Sequence, residues 1–276
     1  MKLFKSLLIL IITLFAISCE DVINVNLDTA SPKLVVNASI QLEKDNIDNK
    51  NNIQKVKLTT TTGYFDTVIP TVSGANVYIT NSNKTIFNFI ETPNTGEYIC
   101  TNFVPVIDEQ YVLTIVLNGQ TYSATETLKS VSPITNITQN NNGGFTGKEI
   151  EIKSFFNDPG NTDNYYMYKF KSNVTAIPSY DIFDDSFTQG NENFGLYINE
   201  DLKSGDNLEI TLFGISKRYF EYMRKLTAIA GSSNGGPFAT APASVRGNII
   251  NTTDPKNFAY GYFNASETDA KNHIIK

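Results

Sequence analysis

Residues 110–127 read QYVLTIVL-NG-QTYSATET, two strand-like runs separated by Asn118-Gly119. Apolar side chains occupy every second position of the first run, which is the period of a strand with one buried face. Asn-Gly between two such runs is the strongest short signature of a β-hairpin, because both turn residues adopt positive φ. This segment therefore predicts an antiparallel hairpin and a fold built on β-strands.

Further strand-like runs rich in β-branched residues precede the hairpin. They fall at 33–42, 56–61, 75–80 and 85–90, with turn-forming residues between them. Short strands at short intervals are typical of a β-sandwich. We therefore predict an Ig-like β-sandwich domain over 31–133.

The second half of the chain predicts another β-rich domain. Ser132-Pro133 and the Asn-rich stretch 139–144 are interpreted as a domain junction. Beyond it, strand-like runs occur at 149–153, 165–170, 208–213, 245–251 and 258–265. The complete prediction is a mostly β fold, in which the Ig-like sandwich is followed by a C-terminal β-rich domain over 145–276.

One amphipathic helix is predicted near 216–230 in this second domain. Five apolar residues share one face at helical spacing, and charged residues fill the remainder: the apolar set is Tyr219, Phe220, Met223, Leu226 and Ile229. A helix with this pattern buries its apolar stripe against a neighbouring element. The helix is therefore expected to pack on the sheet of its own domain.

The N-terminus has the organisation of a lipoprotein signal peptide. A short positive region is followed by an apolar run at 7–17, which is shorter than the roughly 20 residues of a membrane-spanning helix. Ala16 and Ser18 are the small residues that a signal peptidase requires, and Cys19 follows them. We predict a signal peptide over 1–18 that is cleaved between Ser18 and Cys19.

The predicted anchor of the mature protein is a lipid on Cys19. Residues 19–30 are polar and are interpreted as a tether between the membrane and the folded body. An ordinary secretory signal with an incidental cysteine is the alternative, but the cysteine occupies the one position that lipidation needs. A diacylglycerol with an acylated amine gives stable membrane attachment where one acyl chain does not.

The charge and the cysteines limit the partners and the chemistry. The formal net charge is −6, and it becomes −8 when the two lysines of residues 1–18 are removed. A negative protein is unsuited to nucleic acid, so no nucleic-acid partner is expected. Cys100 is the only other cysteine, and its apolar surroundings predict a buried structural thiol without a disulfide.

The sequence predicts a protein without catalytic residues or cofactors. His273 is the only histidine and lies close to the C-terminus, where we expect it to be solvated. A histidine-based triad or a histidine metal site therefore has no source of ligands or base. The phosphate-binding and dinucleotide-binding glycine motifs are also missing from the sequence.

Two acidic groups are weighed as cation sites. Asp158 lies in an Asp/Asn-rich segment that offers oxygen ligands to Ca²⁺, although Pro159-Gly160 favours a simple turn before a strand. Asp181, Asp184 and Asp185 could form a cation site or a carboxylate pair for glycoside hydrolysis. A solvated loop with aromatic packing is the favoured interpretation of this second group, and no metal site is predicted.

Two further features concern the surface of the protein. Thr29 and Thr67 lie in Asp-Thr-apolar tripeptides that resemble the O-glycosylation sites of exported Bacteroidota proteins. The chain contains 14 tyrosines, which suit binding surfaces, but no tryptophan, which makes carbohydrate binding a weaker expectation. Most of the aromatic residues fall in strand patterns and are expected in the core.

Several motifs along the mature chain resemble one protein family. They include Pro32-Lys-Leu-Val-Val-Asn37, Gly119-x-x-Tyr122-x-Ala124, Asp158-Pro-Gly, Val245-Arg-Gly-Asn-Ile249 and Tyr260-Gly-Tyr-Phe263. Together they are similar to a family of Bacteroidota outer-membrane lipoproteins described as a domain of unknown function. One departure is a longer polar turn at 252–258, where the family usually has a Gly-Ala-Leu-Gly-like run.

The resemblance carries expectations about location and partners. Members of that family are often encoded beside TonB-dependent receptors, which implies an accessory lipoprotein of an outer-membrane transporter, on the periplasmic or cell-surface side. Such a protein would capture or gate a ligand for the receptor barrel without being an enzyme. A structural or adhesive surface lipoprotein with an Ig-like spacer is the alternative, and an enzyme acting through the acidic residues is a third. The resemblance supplies no catalytic or binding residues.

Overall fold

The computed structural model describes residues 31–44, 53–63, 65–230 and 244–276. The predicted signal peptide, the predicted cleavage site at Ser18, the predicted lipidation site Cys19, the predicted tether and Thr29 all lie outside these ranges. Among the described residues, helix α1 (Lys217–Ala230) is the one helix, and no helix has the length and apolarity needed to cross a bilayer.

The described strands are β1 (Leu34–Glu43), β2 (Gln54–Thr60), β3 (Asn76–Thr80), β4 (Ile86–Thr92), β5 (Glu97–Cys100), β6 (Gln110–Leu117), β7 (Gln120–Thr127), β8 (Ile134–Gly143), β9 (Glu149–Asn157), β10 (Tyr165–Ser172), β11 (Ser179–Asp184), β12 (Glu192–Asn199), β13 (Asn207–Ile215), β14 (Ile250–Asn251) and β15 (Tyr260–Ile274). Twelve form one sheet in the order β11-β10-β13-β15-β1-β2-β5-β4-β3-β6-β7-β14, and three form a second sheet in the order β12-β9-β8.

The structure has the predicted mostly β fold with one helix. It is organised as two sheets rather than as two clearly separate domains. The long sheet contains strands from both halves of the chain, and Pro32–Lys276 forms one compact unit. The division of the chain into two domains between 133 and 145 remains a prediction. Among the described residues, the first hydrophobic core draws on both sides of that division, since it includes Ile249, Ala259, Phe263 and Ala265 besides residues of 34–128, and the second core lies within 131–275.

The hairpin predicted from Asn118-Gly119 is confirmed. Strands β6 and β7 pair antiparallel from Gln110 opposite Thr127 to Leu117 opposite Gln120. Asn118 and Gly119 have φ values of 48° and 75°, the left-handed conformation that this turn requires. The local pattern was sufficient here because both strands and their turn are adjacent in sequence.

The first core lies between the two parts of the bent long sheet. Strand β4 changes partner along its length, pairing first with β3 and then with β5, so it joins β1-β2-β5 to β3-β6-β7. Alternate residues of these strands are buried in one cluster, including Val36, Leu58, Ile79 and Leu113. This arrangement is a β-sandwich in the region where one was predicted.

Strand β15 connects the two halves of the molecule. Its first part pairs parallel with β1, from Val35 opposite Tyr260, and its last part pairs antiparallel with β13, up to Asn207 opposite Ile274. The sequence predicted a strand only at 258–265. The remainder was missed because its Glu267 and Asp269 are acidic, although both are buried in the structure.

The predicted junction is a tightly held connection. Glu267 accepts a hydrogen bond from the Val131 N–H at 2.8 Å, and Asp269 accepts one from the Ile134 N–H at 2.6 Å. A Cβ at Gly214 would lie 1.9 Å from the Ser130 carbonyl oxygen, so only glycine permits this close approach. The Asn-rich stretch 139–144, interpreted as part of the domain junction, lies largely in β8.

The helix is confirmed at the predicted position, with a narrower buried face. The Ser216 hydroxyl accepts a hydrogen bond from the Tyr219 N–H at 3.2 Å and caps the N-terminus. Phe220 and Met223 are buried against the outer face of β10 and β13, together with Met167, Phe213 and Ile215. Of the other three predicted apolar positions, Tyr219 is half-buried, and Leu226 and Ile229 are 37% and 42% exposed.

The motif at 245–249 supports β15 without being a strand. Asn248 is buried, and its amide donates to the Phe263 carbonyl at 2.8 Å and accepts from the Phe263 N–H at 2.9 Å. The predicted strand at 245–251 is reduced to Ile250–Asn251. One side chain thus does the hydrogen bonding that a neighbouring strand would otherwise supply.

Candidate functional site: a tyrosine-lined groove

Helix α1 covers only part of the outer face of the long sheet. It packs on β10, β11 and β13, and beside it the outer faces of β1 and β15 form the floor of a groove of about 460 Å³. Four tyrosines line this space: Tyr180, Tyr219, Tyr222 and Tyr262. We call it the tyrosine groove.

Three of these tyrosines form a contiguous aromatic wall. The ring centroids of Tyr219 and Tyr222 are 6.2 Å apart, and each lies 4.8 Å from the centroid of Tyr262. Such contacts hold the rings in position, so few side-chain bonds lose rotational freedom when a ligand binds. The wall is therefore preorganised for contact with a flat, partly apolar surface.

The tyrosine hydroxyls stay protonated. Burial raises the pKa values of Tyr180, Tyr219 and Tyr222, and the pKa of Tyr262 is raised by burial and by Glu126. The Tyr262 hydroxyl donates to Glu126 at 3.0 Å. In the described part of the chain the other three hydroxyls have no such partner, so they can donate to or accept from a ligand.

Glu126 connects the groove to the first core. It is buried, and its Oε2 accepts hydrogen bonds from the Tyr262 hydroxyl and from the Ser216 hydroxyl, both at 3.0 Å. The same serine caps helix α1. One carboxylate of β7 therefore holds both the floor and the helical wall of the groove in position.

The floor of the groove presents neutral polar groups. Asn37, Ser39 and Gln41 point outward from β1, because their neighbours Val36, Ala38 and Ile40 point into the core. Asn264 of β15 is 95% buried, and within the described residues its amide has no hydrogen-bond partner. Among the described residues, the fully buried side-chain atoms without a partner belong to Ser154, Asn193 and Ser266, so the Asn264 amide is open to the groove and can hydrogen-bond a ligand there.

The same three residues of β1 border a second depression of about 420 Å³ on the side of β2. The two spaces therefore adjoin along one polar strand face. Four charged side chains line the second depression, and Lys55 pairs there with Glu97 at 3.3 Å. Among the described residues, Lys169 is the one charged side chain that lines the tyrosine groove itself.

The carboxylate of Asp158 is held by hydrogen bonds within the protein. It accepts from the Tyr166 hydroxyl at 2.5 Å, from the Gly190 N–H at 2.7 Å and from the Gly160 N–H at 3.1 Å. The predicted turn is present, and Asp158 joins it to the β11–β12 connection.

Asp181, Asp184 and Asp185 do not converge on one site. Asp181 accepts from the Leu196 N–H at 3.1 Å, Asp184 binds Ser186, and Asp185 accepts from the Asn164 N–H at 2.9 Å. Burial raises the pKa of both Asp181 and Asp185. The solvated loop was wrong, because residues 179–184 form β11 and Asp185 is buried. The described residues hold no group of three or more His, Cys, Asp or Glu suited to a metal.

The remaining predicted residues lie apart from the groove. Cys100 is buried and free, as expected, and burial raises its pKa. His273 is half-buried rather than solvated, because its Nε2 lies 2.9 Å from Gln139 Oε1, and burial lowers its pKa. Thr67 is exposed, and its glycosylation stays a prediction.

The sequence indicated the helical wall of the groove but not its floor. Tyr219 and Tyr222 fall on or beside the apolar helix face, whereas the floor depends on β1 pairing with a strand more than 200 residues later. Alternation in 33–42 did signal an outward polar row, including Asn37 and Ser39. Which elements pack beside that row depends on the tertiary structure, and local sequence patterns do not encode it.

Comparisons with known proteins place the chain in a family. No curated protein matches it. A two-domain fibronectin type-III segment of chicken tenascin is distantly similar, with 10% identity, 67% of this chain and 91% of the segment covered, and a TM-score of 0.22. A DUF4785 family protein from Legionella pneumophila gives 9% identity, coverage of 68% and 54%, and a TM-score of 0.23. Because residues 20–272 match the domain of unknown function DUF4249, the chain belongs to that family.

Proposed function

We propose that this protein is a non-enzymatic, lipid-anchored binding protein of the outer membrane that captures a ligand for a TonB-dependent receptor. The observation that supports binding is the tyrosine groove, into which the Asn264 amide is open without a hydrogen-bond partner among the described residues. The anchoring proposal rests on the sequence around Cys19. The receptor partner is proposed from the family resemblance of the sequence.

The chemistry of the groove favours binding over catalysis. Its lining combines tyrosine faces, neutral amides and one lysine, which hold a ligand without supplying a paired acid and base. Asp158, which was considered for cation binding, and Asp181 and Asp185, which were considered for cation binding or catalysis, accept hydrogen bonds from backbone N–H groups elsewhere. They stabilise connections between strands.

Co-purification tests the receptor partnership. The full chain with a C-terminal affinity tag is recovered from detergent-solubilised outer membranes, and associated proteins are identified by mass spectrometry. We expect a TonB-dependent barrel in amounts comparable to the lipoprotein. Recovery of the lipoprotein alone would contradict the proposed partnership.

A stiff spacer is the second candidate, and a separate observation favours it. Buried Glu267 and Asp269 hold the connection between the two cores by hydrogen bonds, and a spacer needs such a stiff connection. Deletion of the gene separates the two functions: loss of nutrient uptake supports ligand capture, whereas unchanged uptake with lost adhesion supports a spacer.

A further inference from the structure

We propose that the ligand of the tyrosine groove is an acidic oligosaccharide, a short chain of sugar rings that carries carboxylate groups. This inference rests on the proposed binding function and specifies its ligand class. Its basis is the combination of aromatic faces, a neutral polar floor and one cation in a single open groove.

The wall and the floor match the two kinds of surface on a sugar ring. A sugar ring has an apolar face of C–H groups and an edge of hydroxyls. Tyr219 and Tyr222 offer half-buried faces for the first, and the amides of Asn37 and Asn264 offer donors and acceptors for the second. The Asn264 amide has no hydrogen-bond partner among the described residues and is open to the groove, so it is free to bond a sugar hydroxyl.

The shape favours a chain over a single ring. Asn37, Ser39 and Gln41 repeat at every second residue of β1, about 6.6–6.8 Å apart, and they border both depressions. A repeating hydroxylated chain can meet such a row unit by unit. A peptide adding as a strand would need a free sheet edge, but β1 is paired on both sides, with β2 and β15.

The positive charge of Lys169 favours an acidic ligand. Lys169 is the one charged residue lining the groove, and the described residues provide it with no ion-pair partner. A charge-assisted hydrogen bond to a carboxylate is stronger than one to a neutral oxygen. With a formal net charge of −6 for the chain, this local cation distinguishes the groove from the surrounding surface.

A matched pair of probes tests the assignment. Trigalacturonate and its fully methyl-esterified form have the same rings, and only the first carries negative charges. Binding to the full chain in detergent is measured by titration calorimetry at low ionic strength. We expect trigalacturonate to bind about tenfold more tightly than the ester, and Lys169→Met to lower the affinity for the acid about tenfold while leaving the ester unchanged.

The control is Lys171→Met, two residues further along the same strand, where the lysine pairs with Glu209 at 3.7 Å and does not line the groove. It should leave the binding of both probes unchanged. Equal affinities for acid and ester, or equal effects of the two lysine substitutions, would overturn the acidic assignment.

Asn264→Leu separates a binding role from a structural one. Because the amide has no hydrogen-bond partner among the described residues, the apolar replacement removes no hydrogen bond, and it should keep the midpoint of thermal unfolding while weakening the binding of both probes at least fivefold. Unchanged binding, or binding lost only through unfolding, would remove Asn264 from the site. If neither probe binds the wild-type chain, the proposal of a carbohydrate ligand is wrong. Retention of another small molecule by the same groove would still support the proposed binding function.

Discussion

At the scale of single residues, Asn248 shows how a side chain replaces a strand. Its two hydrogen bonds to Phe263 satisfy both backbone groups of a buried residue of β15. Asn248→Ala leaves those groups unsatisfied, so we expect a loss of about 2–4 kcal/mol in the free energy of unfolding, measured by urea denaturation. Asn272→Ala, at an exposed position of the same strand, should change it by less than about 0.5 kcal/mol.

Asp181 gives a prediction about pH. Burial raises the pKa of its carboxyl, so the folded state disfavours the charged form, although its Oδ2 accepts from the Leu196 N–H. The raised pKa means that the contribution of Asp181 to stability is largest below the unfolded-state pKa and is lost as pH rises through the folded-state pKa.

Asp181→Asn removes the charge and keeps an acceptor for Leu196. We expect the variant to unfold at a higher temperature than the wild type at pH 7, by a few degrees, with the difference shrinking as pH falls toward 4. Thermal unfolding followed by circular dichroism between pH 4 and 7 checks this. A variant less stable than the wild type at pH 7 would show that the charge is stabilising.

At the scale of elements, the connection between β7 and β8 depends on acids of β15. Glu267 accepts from Val131 and pairs with Lys44 at 2.9 Å. Glu267→Ala should lower the free energy of unfolding by about 2–3 kcal/mol, because it leaves a buried N–H without an acceptor.

Glu209→Ala, which removes a half-exposed acid of β13, is the control and should have little effect. Chemical denaturation of both variants gives the comparison. Similar small losses would mean that the connection is held by packing alone.

Elements differ in how well local sequence predicts them. The β6–β7 hairpin and helix α1 were predicted because turn chemistry and periodicity are local signals. The second part of β15 was missed because the burial of Asp269 depends on an N–H donor 135 residues away. Strand β12 was also missed, because two of its buried positions, Asn193 and Gly195, are polar or small. Its large apolar residues Phe194 and Leu196 lie on the exposed face, so the usual alternation is inverted.

The groove shows the same limit for a functional site. Tyr219 was recognisable as part of an apolar helix face, but nothing local places that face beside Asn37 and Asn264. The parallel pairing of β1 with β15 creates the site, and pairing between strands distant in sequence is set by the whole fold. The sequence thus placed Tyr219 on a helix face without indicating a binding role or the residues beside it.

At the scale of the whole molecule, two cores within one compact unit should unfold together. Leu113→Ala affects the first core and Leu212→Ala the second, and each should cost about 2–5 kcal/mol. Because β15 pairs with strands of both halves, we expect each variant to lower the temperature of one shared calorimetric transition. Two transitions, each sensitive to one substitution, would instead support the two separate domains suggested by the sequence.

The central claim is that the tyrosine groove is where this protein holds its ligand. The most direct measurement is affinity selection with the full chain. The protein is incubated with a mixed library of oligosaccharides and organic acids and separated rapidly from free compounds, and retained molecules are identified by mass spectrometry. Ser39→Trp fills the groove from its floor, whereas Thr138→Trp places the same ring on an exposed position of β8.

The account predicts that the wild type and Thr138→Trp retain the same compounds and that Ser39→Trp retains none of them. Retention of those compounds by Ser39→Trp, or retention of nothing by the wild type, would contradict it.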